Sequence, residues 1–238
     1  MPEGRTVVVT GGTRGLGRAI VQAFAARGDR VWSVARTPPA AAEPAVRHRR
    51  ADVRRREQLD AVVAEIRAAG DAIDVWINNA GFGRPVPFHD ADNALWAEMF
   101  DVNFWGTVHG TRAALAGLRR PGGAVINIAS VAGLMAPRGH SAYATAKAAV
   151  IALTRANAVE FAGEGIRVNA IAPGPLDTEG FRAAGGDPAK RAQTIPTRRM
   201  VAPEEVAAAC LFLAEPSGSI TGQTLLVDGA AHAAGCYV

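Results

Sequence analysis

The chain is 238 residues long, room for one substantial α/β domain and cramped for two. Hydrophobic residues make up 49% and charged residues 20%, with no repeat or homopolymer run, which excludes a disordered chain and predicts a packed core. The formal net charge is +4, but the six arginines crowded around Asp52 between Arg47 and Arg56 supply more than all of it, so a broadly basic nucleic-acid surface is excluded.

The opening MPEGRTVVVTGG has no basic-then-apolar leader, and no run of roughly 18 apolar residues follows, so a cytoplasmic protein with no membrane partner is expected. Thr6 to Thr10 is a β-branched run that ends in glycines, and LGRAIVQAFAARG behind it has helical spacing with a stop at Gly28. The unit recurs. RVWSVA reads as a second strand, AVRHRRADV as a partly polar third, and REQLDAVVAEIRAAG as an amphipathic helix. IDVWINNAG is a buried strand, and ADNALWAEMFDVNFWGTVHGTRAALAGL is one long helical region. Strand GAVINIAS, helix SAYATAKAAVIALTRANAVEFAG, strand IRVNAIAPG, helix PEEVAAACLFLAE and strand QTLLVDG follow. Nearly continuous apolar strands alternating with helices predict a Rossmann-type, doubly wound parallel sheet of about seven strands, helices on both faces, in a single domain.

The segment Gly174 to Pro203 lacks periodicity and is expected to form a substrate lid with a short helix around Ala189 to Gln193. The two cysteines, Cys210 and Cys236, have no metal-type spacing, so neither a disulfide framework nor a metal site is expected. Of the basic residues 24 are Arg, and only Lys147 and Lys190 are Lys, which draws notice to a titratable point charge among fixed forks.

Four places carry chemistry. TGGTRGLG closes the first strand and opens the first helix; Gly11, Gly15 and Gly17 let backbone approach a ligand, and the helix N-terminus offers free N–H groups to a pyrophosphate. The second strand ends in Ala35 and Arg36, where an NAD-selective site would place an acid for the ribose hydroxyl. Arg36, helped by Arg14, suits a 2′-phosphate instead, so NADP(H) is preferred over NAD(H). In SAYATAKAAV, Tyr143 and Lys147 share one helix face, where an ammonium is expected to draw the phenol's pKa down. Ser130, at a strand end, is placed to polarise a carbonyl. Taken singly, each motif also fits an ordinary turn or surface pair.

Taken together, these motifs resemble the short-chain dehydrogenase/reductase family, and within it the 3-oxoacyl reductase-like ketoreductases. The likeness runs through TGGTRGLG, NNAG at 78 to 81, DVNFWG with Asn103, Ser130, YATAK, and PGPLDT at 173 to 178. It implies an oxidoreductase that interconverts a ketone or aldehyde and an alcohol by hydride transfer, with Tyr143 as acid/base and Ser130 holding the substrate oxygen. Lys147 would bind the nicotinamide ribose and lower the tyrosine pKa, and Asn103 would anchor a water for proton relay. The implied cofactor residues are Gly11, Thr13, Arg14, Gly15, Leu16 and Gly17 in the first loop and Arg36 beyond the second strand. Asp52 and Val53 would meet the adenine, Asn79, Ala80 and Gly81 the adenosine side, and Pro173, Gly174, Leu176 and Thr178, with Tyr143 and Lys147, the nicotinamide end.

Phe82, Met135, His140, Phe181 and Ile195 are candidates for the substrate wall. A homotetramer, or a homodimer, through the helices bearing Asn103 and Tyr143 is implied. Docking of an acyl carrier protein is weakened by Pro121 and Glu164, at positions where such family members often carry Arg, although Arg119, Arg120 and Arg138 lie nearby. The alternative, a cofactor-binding regulator or scaffold without turnover, would show a broken catalytic set; here all four residues are present.

Overall fold

The computed structural model describes residues 4–39, 43–183 and 185–235. The apolar runs form strands β1 (Thr6–Thr10), β2 (Arg30–Ala35), β3 (Val46–Arg50), β4 (Val75–Asn78), β5 (Ala124–Ile128), β6 (Arg167–Pro173) and β7 (Thr224–Val227). All pair in parallel in one sheet of order β3-β2-β1-β4-β5-β6-β7. Neighbouring β1 and β4 mark the point where the strand order reverses, so a crevice opens beyond their carboxyl ends.

Helices α1 (Gly15–Ala26), α2 (Arg56–Ala68), α3 (Asn93–Phe100), α4 (Gly106–Leu115), α5 (Ser141–Phe161), α6 (Glu179–Ala183), α7 (Pro188–Ala192) and α8 (Pro203–Ala214) complete the fold. Alternation along β1 explains why its run is apolar throughout. Val7 and Val9 join Ile20, Phe24 and Leu213 under α1 and α8, while Val8 joins Leu59, Ile66 and Trp76 under α2 and α4.

The long helical region predicted after β4 is interrupted. Between α3 and α4 lies a five-residue π turn, Asp101–Trp105. Its cause is Asn103, whose Nδ2 donates to the Met99 carbonyl at 3.0 Å, the acceptor that the Asn103 backbone N–H would use in a regular α-helix. Asp92 starts the region by accepting from the Leu95 N–H at 2.8 Å.

In the segment after β6, α7 lies where a short helix was expected, and Asp187 caps it by accepting from Ala189 and Lys190 N–H. α6 was not expected; five residues carry too little periodicity to be read. The polar third strand is shorter than predicted and ends before Asp52. Among the described residues no helix is long and apolar enough to cross a membrane, and no three His, Cys, Asp or Glu side chains are grouped to hold a metal ion. Cys210 is free, and burial pushes its thiol pKa well up; Cys236 lies outside the described residues.

Candidate active and cofactor-binding site

At the β1 and β4 ends the glycine loop is fixed by side chains from both strands. The Thr10 hydroxyl donates to the Ile77 carbonyl and accepts from the Asn79 and Ala80 N–H groups at 3.0 and 3.1 Å. Asn79 Nδ2 in turn donates to the Thr10 and Gly11 carbonyls at 2.8 and 3.2 Å. Gly11 has φ +67°, and a Cβ on Gly17 would lie 2.0 Å from the Gly11 carbonyl oxygen, so the loop closes on the first turn of α1 only without side chains there. Gly15 faces Thr178, Leu16 packs into the core beneath, and Thr13 and Arg14 stay at the surface of the loop. Backbone N–H groups at a helix start, walled by glycine, fit a pyrophosphate.

Ser130, Tyr143, Lys147 and Asn103 converge beyond β4 and β5. Lys147 is 4% exposed; its Nζ donates to the Ile128 carbonyl at 2.8 Å and lies 5.8 Å from the Tyr143 ring centroid. Burial lowers its pKa to about 8. Burial also raises the Tyr143 pKa above its ordinary value, and a hydrogen bond with Ser130 pulls the other way without prevailing. The downward draw expected from Lys147 is therefore overridden here: its ammonium is engaged by a carbonyl, and desolvation of the phenolate dominates.

Asn103 is fully buried and its carboxamide is spent on protein. Nδ2 donates to the Phe82 and Met99 carbonyls, both at 3.0 Å, and Oδ1 accepts from the Phe82 N–H at 3.2 Å. Its backbone carbonyl accepts from the Thr107 hydroxyl at 3.0 Å. A Cβ on Gly81 would lie 2.7 Å from Asn103 Oδ1 and 3.2 Å from Lys147 Nζ, so Gly81 keeps open the space between them.

Beneath the site runs a buried polar chain that the sequence reading missed. Asn78 Oδ1 accepts from Trp76 Nε1 at 2.7 Å, and Asn78 Nδ2 donates to Asn127 Oδ1 and to the Thr111 hydroxyl. Asn127 Nδ2 reaches the Thr154 hydroxyl at 2.9 Å. The chain ties β4 and β5 to α5, the helix that carries Tyr143 and Lys147. The available signal was an asparagine inside each of the apolar runs VWIN and AVINI.

Beyond the ends of β2 and β3, Arg36, Arg50, Ala51, Asp52 and Gln58 line a cleft of about 430 Å³. Asp52 does not stand free in it. Arg54 Nη2 lies 2.5 Å from Oδ2, its Nε 3.0 Å from both carboxylate oxygens, and its backbone N–H donates to Oδ1. Hydrogen bonding from Arg54 holds the Asp52 pKa below the usual carboxylate range. Val53 packs against Gly106 and its carbonyl meets His109 Nδ1 at 3.0 Å.

Pro173 and Gly174 leave β6 beside β7, where the Gly174 N–H donates to the Val227 carbonyl, and Leu176 bridges to Val201. The Thr178 hydroxyl accepts from the Phe181 N–H at 3.2 Å. Of the wall candidates, Phe82 packs beside Tyr143 with Leu95, Met99 and Ala142, and the His140 ring stands edge-on to Tyr143 with centroids 6.4 Å apart. Met135 is half-buried on the loop after Ser130. The Phe181 ring packs over Gly186 within its own segment. Ile195 is 2% exposed and packs beneath Gly229, so it belongs to the core and not to the wall. Arg119 and Arg120 are held by Asp74 at 2.5 Å and Glu164 at 2.8 Å. They lie at the amino ends of β4 and β5, away from this crevice.

The family model described as "Enoyl-(Acyl carrier protein) reductase" matches residues 11–232. The chain is 38% identical to 3beta-hydroxysteroid dehydrogenase 1 of Eggerthella lenta, over 95% of this chain and 93% of that protein. It is 34% identical to the 3-oxoacyl-[acyl-carrier-protein] reductase FabG of Vibrio harveyi, over 95% and 97%. Among solved structures, ligand-free Thermoplasma acidophilum aldohexose dehydrogenase superposes with a TM-score of 0.90 at 31% identity, covering 96% of this chain and 94% of that one. ElxO with NADP bound gives 0.88 at 27%, covering 97% and 99%. The crevice, its glycine loop and its Ser–Tyr–Lys cluster thus stand in a chain that belongs to the short-chain dehydrogenase/reductase family of oxidoreductases.

Proposed function

We propose that the protein is an NADP(H)-dependent ketoreductase, interconverting a ketone or aldehyde and an alcohol, with Tyr143 as the acid/base. The observation that carries this reading is the convergence of Ser130, Tyr143 and Lys147 beyond the carboxyl end of β5. When bound, the nicotinamide supplies the hydride for reduction or accepts it for oxidation. Ser130 donates a hydrogen bond to the substrate oxygen and steadies the charge that grows there. Tyr143 gives that oxygen its proton; a phenol whose pKa is raised by burial holds the proton at neutral pH, which favours reduction. Lys147 holds positive charge beneath the phenol. The gap that Gly81 keeps between Asn103 Oδ1 and Lys147 Nζ suits a water that returns a proton toward Lys147.

The preference for the phosphorylated coenzyme is supported by the guanidinium-lined cleft at Arg36 and by an NADP-bound structural neighbour. Residues 174–203 serve as a lid within a single domain. Self-association into a tetramer or dimer is supported by aromatic groups left at the surface around α3 and α4, Phe88 at 69% and Trp105 at 44% exposure. A free small molecule is favoured as substrate, since Arg119 and Arg120 are committed to acids away from the crevice, which leaves Arg138 alone of the three for a carrier protein.

A panel of ketones, aldehydes and alcohols, read by nicotinamide absorbance, tests the reading. Turnover faster with NADPH than with NADH is expected. Tight NADPH binding with no turnover on any member would instead assign a regulatory role.

A further inference from the structure

We propose that Arg50, on edge strand β3, is a second guanidinium of the 2′-phosphate subsite, acting with Arg36, and that Arg54 frees both by holding Asp52. The inference rests on the coenzyme preference proposed above and adds residues that the family resemblance does not point to.

Strand alternation sorts the arginines. Arg47 and Arg49 stack over the Trp32 ring at 5.1 and 5.0 Å, and Arg49 pairs with Glu65. Arg50 falls on the other side and lines the cleft with Arg36. The two are neighbours by register, because Ala35 pairs with Arg50 in the parallel ladder and Arg36 follows at once. Among the described residues neither is within ion-pair distance of a carboxylate, and the Arg36 charge acts on Asp52 only through space and less strongly than Arg54. Arg14 does not line this cleft.

The carboxylate best placed to neutralise them is Asp52, which lines the same cleft. Arg54 takes it with both side-chain and backbone N–H groups. Gln58 Oε1 accepts from the Asp52 N–H at 2.8 Å and fixes the turn. Arg36, Arg50 and Arg54 against Asp52 leave a surplus of two positive charges, matching a phosphate monoester of about −1.5 to −2 at neutral pH. Two guanidiniums at adjoining strand ends offer forked donors to its three terminal oxygens.

The test titrates the full-length protein with 2′,5′-ADP and with ADP by calorimetry, in wild type, Arg36→Gln, Arg50→Gln and Arg47→Gln, with circular dichroism to confirm folding. Wild type should prefer 2′,5′-ADP. Arg50→Gln should weaken 2′,5′-ADP roughly ten-fold and leave ADP within about two-fold, while Arg47→Gln changes neither. Arg54→Gln should lower the same preference, and adding Asp52→Asn should restore it. A preference unchanged in Arg50→Gln but collapsed in Arg36→Gln would make Arg50 a bystander. An Arg47→Gln loss as large as that of Arg50→Gln would show a general potential and overturn the assignment. A wild type without preference would overturn the coenzyme reading itself, and the role of Arg50 with it.

Discussion

In the proposed reaction Lys147 meets two opposed demands: it must stay charged beneath Tyr143, and it is almost fully out of water. The compromise is a pKa of about 8. Below that value the ammonium is present, and above it the charge is lost. Because burial keeps the Tyr143 phenol protonated well past neutrality, the high-pH limb of reduction belongs to Lys147. The reduction rate should therefore hold through neutral pH and fall as pH rises through about 8, in a profile of kcat for ketone reduction. Oxidation should rise with pH up to about 8, as more of Tyr143 gives up its proton, and level off above it as Lys147 loses its charge. Tyr143→Phe removes the proposed proton donor and little else; it should cut turnover by roughly 10²- to 10⁴-fold while NADPH binding, followed by fluorescence titration, stays within a few-fold.

The elements carry their own tests. The buried chain from Asn78 through Asn127 to Thr154 holds β4, β5 and α5 in one register, and Asn127→Ala removes one hydrogen bond from each neighbour, leaving Asn78 its bond to Thr111 and Thr154 its bond to the Val150 carbonyl. Each lost buried hydrogen bond costs about 0.5–1.5 kcal/mol and the cavity left behind adds to it, so the denaturation midpoint should fall clearly, with turnover falling further than coenzyme binding. At the start of α8, Ala202 has no side-chain acceptor, and Glu205 alone supplies the return arm of a capping box by accepting from the Ala202 N–H at 2.9 Å. Hydrogen bonds from Arg199 and from that N–H lower the Glu205 pKa to about 2. A depressed carboxylate pKa stabilises the fold above its unfolded value near 4.5 and stops doing so as pH falls through about 2. The stability gap between wild type and Glu205→Gln should be constant from neutral pH to about 5 and close towards pH 2, as read from denaturant melts.

Across the whole molecule, what the sequence revealed follows burial. Strands covered on both faces appear as unbroken apolar runs, so the parallel sheet and its doubly wound order were legible, as were Tyr143, Lys147 and the glycine loop from their spacing. The π turn was not, because it depends on the Asn103 side chain displacing a backbone donor, and a helical pattern looks the same on either side of it. Nor could one string of six arginines and an acid say that Arg54 takes Asp52, since pairing is decided by where the turn after β3 brings each side chain. Ile195 looked like a pocket residue because it falls in the segment expected to form the lid, yet the core reaches out to it through Gly229. The arginines of β3 have one more consequence. This strand is an open border of the sheet, where bare backbone N–H and C=O groups would template another chain, and long charged side chains at Arg47 and Arg49 repel any incoming copy. Replacing both with Thr should leave the fold standing but turn that border adhesive, seen as concentration-dependent growth of particle size in light scattering.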